Sequence, residues 1–132
     1  MSGWGTIPSV RVTDMPAAFR FYNGVLGFDV ERGGPEDSNV ALKHGDARLM
    51  LETAADHYGE TYNEAIRDRM GSPSPHALYI EAPDLDALHV RIQSGQARIV
   101  DPLAARPWGQ REFTVEDPEG NWLTFWQSDA EE

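Results

Sequence analysis

The chain has no cysteine. Disulfides, thiolate metal sites and cysteine nucleophiles are therefore excluded, and the composition suits a reducing compartment. It also lacks any apolar run near the roughly 20 residues that a membrane-spanning helix needs. Its opening residues, Met1-Ser2-Gly3-Trp4-Gly5, hold neither a basic stretch nor an apolar one, so no secretion signal and a cytoplasmic location are expected. Basic residues are scarce: 11 Lys and Arg stand against 22 Asp and Glu, a formal net charge of −11. Such a field repels phosphate backbones and anionic lipid, which argues against nucleic-acid and membrane partners, and it favours cations at long range. The same acidity also keeps a protein soluble. No Gly-rich phosphate cradle, Gly-x-Ser-x-Gly elbow or placeable Ser-His-Asp set occurs, so no catalytic group is expected.

What is there is globular: 132 residues, 40% hydrophobic and 25% charged, enough for one domain with its own core. The chain repeats itself. Val10-Arg11-Val12-Thr13-Asp14-Met15-Pro16-Ala17-Ala18 aligns with Ile80-Glu81-Ala82-Pro83-Asp84-Leu85-Asp86-Ala87-Leu88 at an offset of 70 residues. Each copy reads as a short strand, an Asp at a helix start, and an amphipathic helix. An Asp there accepts orphan amide hydrogens and complements the helix dipole. Met15, Phe19, Tyr22 and Leu26 recur at helical spacing, as do Leu85, Leu88 and Ile92, and Gly24, Gly27 and Ser94-Gly95 mark the helix ends.

Extended segments follow each helix: 28–31, 39–43 and 47–52 after the first, and 98–100, 112–116 and 122–127 after the second. Turns at His44-Gly45-Asp46 and Asp117-Pro118-Glu119-Gly120-Asn121 join the last two in each set. Residues 53–75 are polar, broken by Gly71, Pro73 and Pro75, with Tyr62, Ile66 and Met70 as one helical stripe. A linker holding a helix is expected there. The predicted fold class is α+β: two βαβββ modules, about 5–52 and 76–128, in one domain over 1–132, with facing sheets enclosing a cleft.

Asp14…Phe21-Tyr22…Leu26-Gly27-Phe28 and Asp117-Pro118-Glu119-Gly120-Asn121 occur in order within this repeat. They resemble the vicinal-oxygen-chelate superfamily of glyoxalases, bleomycin-resistance proteins and ring-cleaving dioxygenases, over about residues 6–127. Pro107-Trp108-Gly109-Gln110-Arg111-Glu112-Phe113 looks most like the bleomycin-resistance branch. The resemblance implies paired modules and a homodimer, often with exchanged strands, whose ligand clefts lie at the subunit boundary. In the enzymes it implies a divalent metal held by His, Gln or Glu on the first and last strands of each module.

Counting back from Asp14 and Asp84 puts Ile7 and Ala77 at the first-strand positions; counting forward from Gly45 and Gly120 puts Leu49 and Thr124 at the last-strand ones. Three lack a donor and a neutral hydroxyl is a poor ligand, so no metal and no cofactor are expected. His76 precedes Ala77 and would need a β-bulge to turn inward. His44, His57 and His89 fall in a turn, the linker and a helix, and Glu52 is placed opposite Leu49 and Leu51.

Strand alternation assigns the remaining cleft residues. Arg11, Tyr79, Glu81, Glu112, Thr114, Trp122, Thr124 and Trp126 share the predicted face with Ile7, Ser9, Ala77, Leu49 and Leu51, and Trp108 lies at its mouth. Tryptophan, tyrosine and acid together suit stacking on planar groups and attraction of cations. The two strand tryptophans equally suit a dimer interface. The expected function is a metal-free small-molecule-binding protein that sequesters a cationic or aromatic compound, such as a bleomycin-type antibiotic. The alternative is a metal-dependent glyoxalase-like lyase, isomerase or dioxygenase using residues such as His76 and Glu52.

Overall fold

The computed structural model describes residues 5–54, 56, 58–72 and 77–129. His57 and His76 lie outside the described residues. Strand β1 (Ser9–Arg11) leads into helix α1 (Met15–Phe19), which continues as a π-helical segment over Arg20–Val25. Asp14 caps the start, its carboxylate accepting the Ala17 amide hydrogen at 3.1 Å. Strands β2 (Asp29–Arg32), β3 (Asn39–His44) and β4 (Ala47–Glu52) complete module one. Helix α2 (Glu60–Arg69) bridges to module two: β5 (Ala77–Glu81), α3 (Leu85–Ser94), β6 (Arg98–Arg106), β7 (Gln110–Glu116) and β8 (Trp122–Ser128). Asp84 repeats the cap, accepting from the Ala87 amide at 3.1 Å.

Two four-stranded mixed sheets result, ordered β1-β4-β3-β2 and β5-β8-β7-β6. Strand β6 runs well past Val100, where the sequence reading ended it. It passes through Pro102 with register shifts between Ile99 and Asp101 and between Asp101 and Ala104. A proline lacks the amide that a central strand must donate, but β6 is an edge strand, where bulges absorb the loss. The predicted linker helix is present, although only Ile66 of its stripe is buried.

The helix-covered faces of the two sheets share one core. Tyr22, Leu26, Phe28, Leu42, Leu49 and Leu51 from module one cluster with Leu85, Ile92, Phe113, Val115, Leu123 and Phe125 from module two. Each such side chain contributes about 1.5–3 kcal/mol by leaving water. Phe28 meets Phe125 across the modules at a centroid distance of 6.5 Å. The buried Tyr22 hydroxyl donates to Asp117 Oδ2 at 2.7 Å, and Asp117 Oδ1 accepts the amides of Glu119 and Asn121. Burial first, and then the Asp117 charge, holds the Tyr22 hydroxyl well above its ordinary pKa. Arg91 of α3 closes the seam, donating to the carbonyls of Val25 and Gly24. Within one chain, then, the helix-covered faces are the ones that meet. Among the described residues, the opposite module does not cover the other two faces.

Candidate ligand-binding faces

The uncovered face of module two follows from strand register. Parallel pairing of β5 with β8 sets Ala77 beside Trp122, Tyr79 beside Thr124 and Glu81 beside Trp126. Antiparallel pairing of β7 with β8 adds Glu116 beside Trp122, Thr114 beside Thr124 and Glu112 beside Trp126. The pleat then sends Ile80, Phe113, Val115, Leu123 and Phe125 to the core, where all are buried. Tyr79, Glu81, Glu112, Thr114, Trp122, Thr124 and Trp126 thus occupy the one face that alternation assigned to them.

Glu112 is only 4% exposed. Its Oε1 accepts from Gln110 Nε2 at 2.8 Å and from the Trp108 indole at 3.3 Å. Its Oε2 accepts a long bond from the Tyr79 hydroxyl at 3.5 Å and lies 3.8 Å from Arg106 Nε. Thr114 and Thr124 bond each other at 2.7 Å in the buried middle of the face. Around this floor Trp108, Tyr79 and Trp122 stand 62%, 59% and 46% exposed.

The module-one face corrects the sequence reading. Ser9 pairs with Met50 and Arg11 with Glu52, so these four share the uncovered face. Leu49 and Leu51, expected in the cleft, point into the core at 2% and 0% exposure. The cause is turn length. Two residues separate His44 from Ala47, whereas five separate Glu116 from Trp122, so counting from Gly45 and Gly120 put β4 one residue out of register. A slip of one residue exchanges the two faces of a strand.

Glu52 is the buried acid of this face, 3% exposed. Tyr58 donates to its Oε2 at 2.5 Å, Ser9 donates to Oε1 at 3.2 Å, and the Arg11 guanidinium lies 3.3 Å from Oε1. The Glu52 bond, above all, raises the Tyr58 pKa. Arg11 is itself held by the Ala54 carbonyl at 2.7 Å and the Tyr62 hydroxyl at 3.0 Å. Its guanidinium sits 5.6 Å from the Tyr58 ring centre and 5.7 Å from that of Tyr62, within cation–π range. The sequence reading missed this cluster. Tyr58 lies just before the α2 N-terminus and Tyr62 in its first turn, so no helical spacing in the sequence pointed to the pair. Arg11 therefore belongs to a different face from the other candidates.

The donor set does not fit the family's metal. Glu52 stands near a last-strand position, but Ser9, Arg11 and Tyr58 already occupy its oxygens. Ile7 and Ala77 have no donor, and Thr124 is bonded to Thr114. Among the described residues no group of three or more His, Asp or Glu gathers around one point. Where the modules adjoin, a cavity of about 220 Å³ is lined by Pro8, Leu49, Leu78 and Ile80, with Arg48 and Tyr79 also on its wall.

The family model of the Glyoxalase/Bleomycin resistance protein/Dioxygenase superfamily matches residues 7–125. A comparison with curated proteins returns no match. Among solved structures, TioX from Micromonospora sp. ML1 is similar at 22% identity and a TM-score of 0.72, over 96% of this chain and 98% of that one. TnmS3, an antibiotic binding protein from Streptomyces sp. CB03234, shares 25% identity at a TM-score of 0.65, over 97% and 98% of the two chains. A glyoxalase/bleomycin resistance protein/dioxygenase from Alicyclobacillus acidocaldarius shares 20% identity at a TM-score of 0.67, over 98% and 96%. With its paired βαβββ modules and a family match spanning nearly its whole length, the chain belongs to the Glyoxalase/Bleomycin resistance protein/Dioxygenase superfamily.

Proposed function

We propose that the chain is a metal-free small-molecule-binding protein that sequesters a cationic or aromatic compound, a bleomycin-type antibiotic being the model ligand. The observation that carries this reading is the module-two face, where exposed Trp108, Tyr79 and Trp122 stand over a polar floor of Glu112, Thr114 and Thr124. Aromatic surface set among a few placed polar groups is the usual make-up of a small-molecule site. The structural likeness to TnmS3, an antibiotic binding protein, supports the same class of role. Glu81 and Trp126 border the site on β5 and β8. In a homodimer the module-one face of one protomer, with Arg11 and Glu52, would form the opposite wall of the cleft. The cytoplasm is the expected compartment, given the absence of cysteine.

A metal-dependent lyase, isomerase or dioxygenase is opposed by the chemistry of the donor positions, where Ile7, Ala77 and a satisfied Glu52 stand. The test is a thermal-shift screen of the purified chain against bleomycin-type and other planar compounds, followed by calorimetric titration of any hit. A stoichiometric complex without turnover is expected. Elemental analysis showing one equivalent of bound iron, manganese, nickel or zinc would overturn the metal-free reading.

A further inference from the structure

Glu112 looks at first like an anionic anchor for a cationic ligand. Its surroundings give it other work. All but 4% of the residue is withdrawn from solvent. Both carboxylate oxygens are engaged, Oε1 by Gln110 and Trp108 and Oε2 by Tyr79 with Arg106 nearby. Two of those donors are the polar edges of the most exposed aromatic side chains on the face. An indole or phenol ring tied by its edge loses rotational freedom but keeps its flat surface in water. The third exposed ring follows the same plan, Trp122 Nε1 donating to Glu116 Oε1 at 3.1 Å. Glu112 and Glu116 thus spend part of their acceptor capacity on holding rings.

We propose that Glu112 is a positioning residue that fixes Trp108 and Tyr79 as preorganised stacking platforms, so that the face selects flat aromatic ring systems by shape rather than cations by charge. This rests on the ligand-binding reading above and narrows its ligand class. Rings already ordered in the free protein lose little conformational entropy when a ligand stacks on them, which is the general benefit of preorganisation. The oxygens of Glu112 are taken up by three neutral donors, and Arg106, paired with Asp101 at 2.6 Å, stands 3.8 Å away.

The test uses the full chain labelled with 5-fluorotryptophan and two probes, neutral anthraquinone and the planar cation proflavine. Trp108→Phe assigns the Trp108 fluorine resonance among the four tryptophans. In Glu112→Gln that resonance is expected to shift and sharpen as the indole gains freedom, while the Trp122 resonance stays in place. Glu112→Gln is expected to weaken both probes by the same several-fold factor at low and at high salt. Trp108→Phe, an exposed change that keeps the carboxylate, is expected to weaken both as well. A loss confined to proflavine and abolished by salt would overturn the proposal in favour of simple charge attraction. An unmoved Trp108 resonance in Glu112→Gln would overturn the positioning role alone. If the wild type binds neither probe, the ligand-binding reading falls, and the selection of flat rings falls with it.

Discussion

The two uncovered faces are built on the same strand pairing, and each buries one glutamate, yet the two acids are satisfied in different ways. Glu52 meets a cation, Arg11, and Tyr58 and Tyr62 close over the pair. Glu112 meets mainly neutral donors, and the rings that supply them stay open to solvent. The two acids are not counterparts in the repeat: Glu52 stands on β4 where module two has Trp126, and Glu112 stands on β7 where module one has Asn39. In module one the acid ties down the linker; in module two it steadies an aromatic surface. Burial of an ion is tolerated in both because each oxygen has a partner, as low-dielectric surroundings demand.

The contrast can be broken by experiment. Arg11→Met should produce the largest loss, about 3 kcal/mol, because it leaves a nearly inaccessible carboxylate without its counter-ion. Urea unfolding measures it, and a loss below about 1 kcal/mol would mean that Ser9 and Tyr58 suffice for Glu52. Tyr22→Phe probes the seam that both modules share. It strips one donor from buried Asp117 and should cost about 1–2 kcal/mol in thermal unfolding, leaving both faces as they are. Arg106→Met is the counterpart of the first change. The guanidinium lies 3.8 Å from a carboxylate that has three other donors and pairs at 2.6 Å with half-exposed Asp101, so its cost should stay near or under about 1 kcal/mol. If Arg106→Met destabilised as much as Arg11→Met, the two acids would be alike after all.

The smallest effect is a pH dependence at the module junction. The His44 ring packs 5.1 Å from Phe28 and 5.6 Å from Phe125, and among the described residues its buried Nδ1 has no hydrogen-bond partner. Burial, the largest influence, lowers its pKa against the opposing pull of Asp29, with Arg91 adding slightly to the lowering. A histidine whose folded pKa is depressed takes up its proton first in the unfolded chain. Its contribution to stability is therefore complete above the ordinary value of about 6.5 and is lost as pH falls below it toward the folded value. Urea midpoints should fall between pH 7.5 and pH 5.5, and His44→Phe should reduce that fall while keeping the ring packing. An unchanged pH profile in His44→Phe would assign the acid sensitivity to other groups.

The repeat, the two aspartate caps and the alternation along β7 and β8 were all legible in the chain. Each depends on neighbours within a few residues: a carboxylate three positions before an amide, or a pleat of period two. That is why seven of the nine candidate residues were found together on one face of module two. Trp108 was placed correctly in the loop beside it, yet its bond to Glu112 was invisible. Arg11 was assigned to the same face because the repeat aligns it with Glu81, and it lies instead in the tyrosine cluster of module one.

What the sequence determined by itself is the pair of βαβββ modules, because hydrophobic period, helix caps and turn residues act locally and agree with one another. Only tertiary structure decided the rest. It set the outward side of β4, because that depends on a turn length compared with a distant one. It carried β6 through Pro102, because an edge strand has no further neighbour to satisfy. It brought Tyr58 and Tyr62 to Arg11 across more than forty residues of chain. And it turned the helix-covered faces toward each other, because joining two half-covered apolar surfaces into one core removes the most hydrocarbon from water.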